Sequence, residues 1–170
     1  MGMGASVRLQ ETTTMPSHRV TASAIVNAPP GVAYGIIADY RDGHPRILPK
    51  PEFTALTVEE GGIGAGTVVF VAMRVLGRTQ SFRAAITEPE PGRVLVETSL
   101  DGPRVVTTFT VDPETGGRQA RVTITTDTEV RGGVLGAVQG WLTTRLLGPL
   151  YARELRQLDA VAAEASRVTG

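Results

Sequence analysis

The stretch VLGAVQGWLTTRLLGPLYARELRQLDAVAAEASRV, residues 134–168, reads as one long C-terminal helix. Leu147, Tyr151, Leu155, Leu158, Ala162 and Ala165 recur at steps of four and three, which draws one apolar stripe at helical period. Arg153, Glu154, Arg156, Gln157, Asp159 and Glu164 fall between the stripe positions and are assigned to water. The first half has a different character. Gly136 and Gly140 share a face, Trp141 is the sole tryptophan, and Gly148-Pro149 interrupts the middle. A proline there has no N–H to give the carbonyl of Arg145 and crowds it, so a kink is expected. A helix with one long apolar stripe needs a sheet to lie on.

The sequence upstream supplies one. Arg19–Ala28 is rich in β-branched and small residues and reads as a strand, stopped by Pro29-Pro30. Gly31–Tyr40 follows with helical spacing, and Arg46–Pro49 reads as one further turn. From Phe53 the period changes to two. Strands are predicted over Phe53–Glu60, Thr67–Leu76, Thr79–Glu88, Arg93–Leu100, Arg104–Asp112 and Gln119–Val130, with a turn signal at every boundary. Short connections make this an antiparallel meander.

Turn chemistry then sets register. A two-residue turn at Asp101-Gly102 places Thr98 opposite Val105, Val96 opposite Thr107 and Val94 opposite Phe109, and sends Glu97 to the other face. A turn at Gly77-Arg78 pairs Met73 with Phe82, Val71 with Ala84 and Val69 with Ile86. Val122, Ile124, Thr126 and Thr128 share one parity on the last strand. The fold class is therefore α+β: a strand, two short helices, six strands and a long helix.

At 170 residues the chain suits a single domain, predicted as 19–168 behind a flexible tail at 1–18. Seventeen basic and seventeen acidic residues cancel, and the arginines are dispersed, which argues against a nucleic-acid partner. The absence of cysteine excludes disulfides, thiolate metal sites and cysteine nucleophiles. No apolar run has the length of a membrane span and no signal-peptide pattern is visible, so a cytoplasmic location without stable membrane insertion is expected. The opening MGMGAS matches the N-myristoylation pattern and is taken as a chance match.

Ala28-Pro29 with Val32, then Ala38-Asp39-Tyr40, then His44-Pro45 and Leu48-Pro49 form an opening that resembles the START/SRPBCC superfamily. Tyr34 and Ile47 stand near positions where its members often carry tryptophan. The resemblance covers nearly the whole chain from Arg19 and implies the helix-grip fold, a seven-stranded antiparallel sheet curved around a long C-terminal helix. Within the superfamily the chain most resembles bacterial proteins described as polyketide cyclase/dehydrase or lipid transport. What the resemblance implies is a cavity between sheet and helix, with Ile37, Tyr40, Met73, Phe82, Thr98, Thr107, Phe109, Val138, Trp141, Leu142 and Arg145 as ligand-contacting side chains. No cofactor or metal is implied.

The residues that could carry chemistry are few. Gly62-Ile63-Gly64-Ala65-Gly66 precedes a strand rather than a helix, so it reads as a hairpin loop, with a lid over the cavity as the alternative. His18 falls in the tail and is given no role. His44, between Gly43 and Pro45, is read as an exposed loop residue, with a proton donor at the cavity rim as the alternative. Neither a metal site nor a nucleophile elbow can be built from these. Glu59-Glu60, Glu88, Glu90, Asp127 and Glu129 sit where solvated charge belongs, and Asp39 suits a hydrogen bond into its own turn. Thr98, Thr107 and Thr126 interrupt apolar faces, and their hydroxyls need either neighbouring hydroxyls or a ligand. Arg145 either meets water or pairs with an acidic ligand group.

Three functions follow. The first is binding of a hydrophobic or amphipathic small molecule (lipid, polyketide, isoprenoid or aromatic) by a monomer or homodimer. The second is an aromatase/cyclase or dehydratase, with Tyr40, His44, Thr98, Thr107 and Arg145 as its suspects; it requires titratable groups converging on the cavity. The third is a protein-interaction module, which requires an exposed apolar groove.

Overall fold

The computed structural model describes residues 17–130 and 133–168, with the side chains of 133–139, 141, 142 and 168 outside the description. The expected tail therefore lies almost wholly outside the described residues. Strand β1 (Ser17–Val26) leads into helices α1 (Pro30–Ala38) and α2 (His44–Ile47). Strands β2 (Phe53–Glu60), β3 (Val68–Val75), β4 (Arg78–Glu90), β5 (Val94–Ser99), β6 (Val105–Glu114) and β7 (Gln119–Glu129) follow, and helix α3 (Gly133–Val168) ends the chain. Pro30 occupies the first turn of α1, where its missing N–H costs nothing. Helix α3 continues as one element through Pro149.

All seven strands form one antiparallel sheet in the order β1-β7-β6-β5-β4-β3-β2. The meander from β2 to β7 is thus completed by β1, which returns to pair with the last strand. Helix α3 packs along β1 and against α1 and α2. Its stripe is where the spacing placed it, with Tyr151, Leu155, Leu158 and Ala162 buried in the core.

Two hairpins depart from the predicted register. The β3–β4 turn is Leu76-Gly77, both at positive φ (50° and 77°), so Val71 faces Phe82 and Val69 faces Ala84. That is a shift of two residues, and the predicted apolar face survives it. The β5–β6 connection is longer by one residue than predicted, and there the consequence is large. Glu97 pairs with Thr107, Leu95 with Phe109 and Thr98 with Val106. A two-residue turn would need the N–H of residue 103 to close it, and proline has none. The loop instead closes through Ser99, whose Oγ accepts from Val105 N (2.9 Å) and donates to the Pro103 carbonyl (3.0 Å). One residue of slip inverts the faces of β5. Val94, Val96 and Thr98 leave the concave side, and Leu95 and Glu97 enter it.

The corrected register draws two rows across the concave face. Leu95, Phe109, Ile124 and Ala22 are successive cross-strand neighbours, and the first three are almost fully buried. The next row is Ile86, Glu97, Thr107, Thr126 and Val20. Between those rows the sheet changes from large apolar side chains to small or polar ones. On the first side of that boundary α3 packs solidly; on the second it does not.

Candidate functional site

Beyond the boundary lies a cavity of about 1090 Å³ between the sheet and α3. This is slightly above the roughly 300–1,000 Å³ usual for small-molecule sites. Its walls are mainly apolar: Val69, Val71, Met73 and Phe82 from β3 and β4, Phe109 from β6, and Leu146, Leu147 and Leu150 from α3. Its floor is polar, and every polar group on it has a traceable origin.

Tyr40 comes from the segment joining α1 to α2, and His44 is the first residue of α2. Their rings stack at 4.5 Å and 13°, and Phe109 meets His44 edge-on at 5.7 Å. His44 is buried, 2% exposed, which corrects its reading as an exposed loop residue. Its Nδ1 donates to the Ile37 carbonyl at 2.7 Å; a carbonyl only accepts, so this nitrogen carries the proton. Nε2 then points at Glu97 Oε1, 3.7 Å away. The Tyr40 hydroxyl donates to the same carboxylate oxygen at 2.5 Å. Burial first, and then Glu97, push the Tyr40 phenol well above its usual value, so it stays a donor.

Opposite, α3 brings Tyr151 and Glu154. The Tyr151 hydroxyl lies 2.6 Å from Thr126 Oγ1, which lies 2.9 Å from Thr107 Oγ1, a chain of three hydroxyls. Two of the three threonines singled out from sequence thus satisfy one another while lining the cavity. Glu154 was assigned to water, yet it is 3% exposed and borders the cavity. Burial, and then the nearby Glu97, raise its carboxyl well above the ordinary carboxylate range.

Of the expected ligand contacts, Tyr40, Met73, Phe82, Thr107, Phe109 and Arg145 line the cavity. Ile37 does not: it is completely buried in the core behind Tyr40, and offers the site only its carbonyl. Thr98 is on the opposite face of β5, by the slip described above. The side chains of Val138, Trp141 and Leu142 lie outside the described residues. Arg145 is exposed at the rim.

Several bland readings from sequence are settled as well. Asp39 Oδ1 accepts from the backbone N–H groups of Arg41 and Asp42, a local turn bond. The glycine-rich loop is no part of the cavity wall. It is tied to the end of α1 by Tyr40 N donating to Gly62 O (2.9 Å) and Gly64 N to Ala38 O (2.9 Å). His18 belongs to β1 and has a partner, Thr144 Oγ1 on α3 at 2.6 Å. A Cβ on Gly140 would lie 2.7 Å from the His18 ring, so this glycine serves close approach rather than empty volume. Among the described residues no group of three His, Asp or Glu side chains could hold a metal ion. No described helix is long and apolar enough to cross a membrane.

Glu97 and Glu154 are the site residues that sequence reading missed. Glu97 was hidden by the misread turn, and Pro103 was the signal that could have corrected it. Glu154 follows Tyr151 by three and precedes Leu158 by four, so its spacing placed it in the stripe; its charge was allowed to override its period.

A family model described as polyketide cyclase/dehydrase and lipid transport matches residues 17–163, nearly the whole described chain. The chain belongs to this family. The fold is likewise that of the START superfamily. A START superfamily protein from Mycobacterium smegmatis aligns with a TM-score of 0.68 at 16% identity, over 87% of this chain and 99% of that one. The Zhui aromatase/cyclase from Streptomyces sp. R1128 aligns at 0.66 and 19%, over 91% of this chain and 97% of that one. TTHA0849 from Thermus thermophilus aligns at 0.71 and 23%, over 87% and 99%. No curated protein matches the sequence. At these identities the structural likenesses establish the fold, and the family membership supports a role in hydrophobic ligand binding or cyclisation.

Proposed function

We propose that this polyketide cyclase/dehydrase and lipid transport family member binds a hydrophobic or amphipathic small molecule in the cavity between the sheet and the middle of α3. The observation that carries this is the cavity itself: about 1090 Å³ of apolar-walled volume in an otherwise closely packed domain. At about 25 cal/mol per Å² of apolar surface, enclosing a ring system against such walls supplies most of a micromolar affinity. The polar floor then orients the ligand's oxygens.

Native mass spectrometry of gently purified protein tests the reading. The expected spectrum shows a bound species of small-molecule mass that collisional activation removes. A bare protein that also fails to bind a hydrophobic fluorophore saturably would overturn it.

The aromatase/cyclase reading has one observation in its favour: Tyr40, His44, Glu97 and Glu154 converge on one floor. A base and an acid on either side of an enolisable ketone could move its α-proton and protonate its oxygen. Exchange of the α-protons of 2-tetralone in D2O, faster with protein than without and lost in His44→Ala, would favour this reading over simple binding.

A further inference from the structure

Among the described residues, one polar side chain on the floor makes no hydrogen bond to the protein at all, and His44 Nε2 has only Glu97 Oε1 at 3.7 Å. Tyr40 donates to Glu97, His44 Nδ1 donates to the Ile37 carbonyl, and Thr107, Thr126 and Tyr151 share their hydroxyls. No described residue forms a hydrogen bond with the Glu154 carboxyl, although it is 3% exposed and borders the cavity. A buried polar group left unpaired is costly, and a site that contains one is complementary to a ligand group that completes it. The floor is also short of positive charge. Arg74, Arg145 and Arg156 line the cavity but are exposed, at its rim, and Arg153 there pairs with Glu52 at 2.6 Å.

Building on the binding function proposed above, we propose that Glu154 is the specificity-determining residue of the cavity, selecting apolar molecules with an uncharged acceptor oxygen (a ketone, enol or phenol) over carboxylate anions such as fatty acids. A protonated carboxyl has one O–H to donate and a carbonyl to accept with, which suits such an oxygen. Burial and Glu97 both favour that protonated form. A ligand carboxylate reaching the same floor would be a third carboxyl group beside Glu97 and Glu154, with His44 as the sole candidate cation on the floor among the described residues.

Four naphthalenes of similar shape separate the possibilities by calorimetric titration: 2-acetylnaphthalene, 2-naphthoate, 2-(aminomethyl)naphthalene and 2-ethylnaphthalene. In the wild type the ketone is expected to bind at least about tenfold more tightly than naphthoate, the scale of one hydrogen bond. Glu154→Gln, which keeps a donor and an acceptor, should hold the ketone within about threefold, whereas Glu154→Leu should weaken it about tenfold without weakening 2-ethylnaphthalene. Equal changes for ketone and hydrocarbon in Glu154→Leu would overturn the assignment, as would naphthoate matching the ketone. Tightest binding by the amine, lost in Glu154→Gln, would also overturn it and make the floor a cation site. Failure of all four to bind would instead defeat the binding function on which the assignment rests.

Discussion

The two ends of the concave sheet face the same helix and differ in one row of side chains. At the closed end Leu95 and Ile124 rise from the sheet beside Phe109, which also borders the cavity, and they share one buried core with α1 and with Leu155, Leu158 and Ala162 of α3. At the open end Glu97, Thr107 and Thr126 take the corresponding positions, and α3 is left bordering a cavity with Leu146, Leu147 and Leu150. The helical period is unbroken across the boundary. A hollow in this fold therefore requires no change of backbone, only two or three shorter or polar residues at one level of the sheet. The polar atoms introduced there become the floor of the site.

The largest expected effect contrasts the two ends directly. Leu158→Ala, at the closed end, should cost about 2–5 kcal/mol in denaturant unfolding, since it opens a hole in packed material. Met73→Ala, on the cavity wall, should cost less than about 1 kcal/mol because its side chain already borders open volume. Equal costs would erase the distinction. Next is the seam beside the cavity, where Gly140→Ala should cost about 1–3 kcal/mol by displacing the His18 ring. Most of that loss should vanish when His18→Ala is added, and its persistence in the double variant would count against the close approach. Thr126→Val, which breaks the hydroxyl chain at its centre, should cost about 1–2 kcal/mol, and Tyr151→Phe in that background should add little.

The smallest effect at acid pH, and a growing one above it, belongs to Glu154→Gln. The titratable group that acts on Glu154 is Glu97 on β5, and the charge of Glu154 in turn raises the phenols of Tyr40 and Tyr151. Its carboxyl titrates near 4.5 when unfolded and well above that when folded, so over that interval the folded state holds the extra proton. Wild-type stability should thus fall relative to Glu154→Gln as pH rises past 4.5. A gap that stays constant with pH would mean that Glu154 is not a buried acid.

The strands, the short helices and the long helix were legible because each carries its own period and each is closed by its own turn residues. Register was less so. The shift of two at Leu76-Gly77 was harmless, since faces repeat every second residue, whereas the shift of one at Pro103 exchanged Glu97 for Thr98 on the concave side. That Met73, Phe82 and Phe109 belong to apolar faces followed from parity, and that those faces wall a cavity followed from the family resemblance. Its polar floor did not. His44 is buried because Tyr40, Phe109 and the Ile37 carbonyl enclose it, and no local pattern contains those contacts. Glu154 did have a local signal, its spacing, which outweighed its charge in the folded chain.

The central claim is that the open end holds a ligand and the closed end does not. Titration of isotopically labelled protein with 2-acetylnaphthalene, followed by backbone and methyl chemical shifts, tests it most directly. The account predicts saturable shifts at Met73, Thr107, Thr126, Leu150 and Tyr151, with Val26, Val122 and Leu158 nearly still. Shifts centred on Val122 and Leu158, or none that saturate, would contradict it.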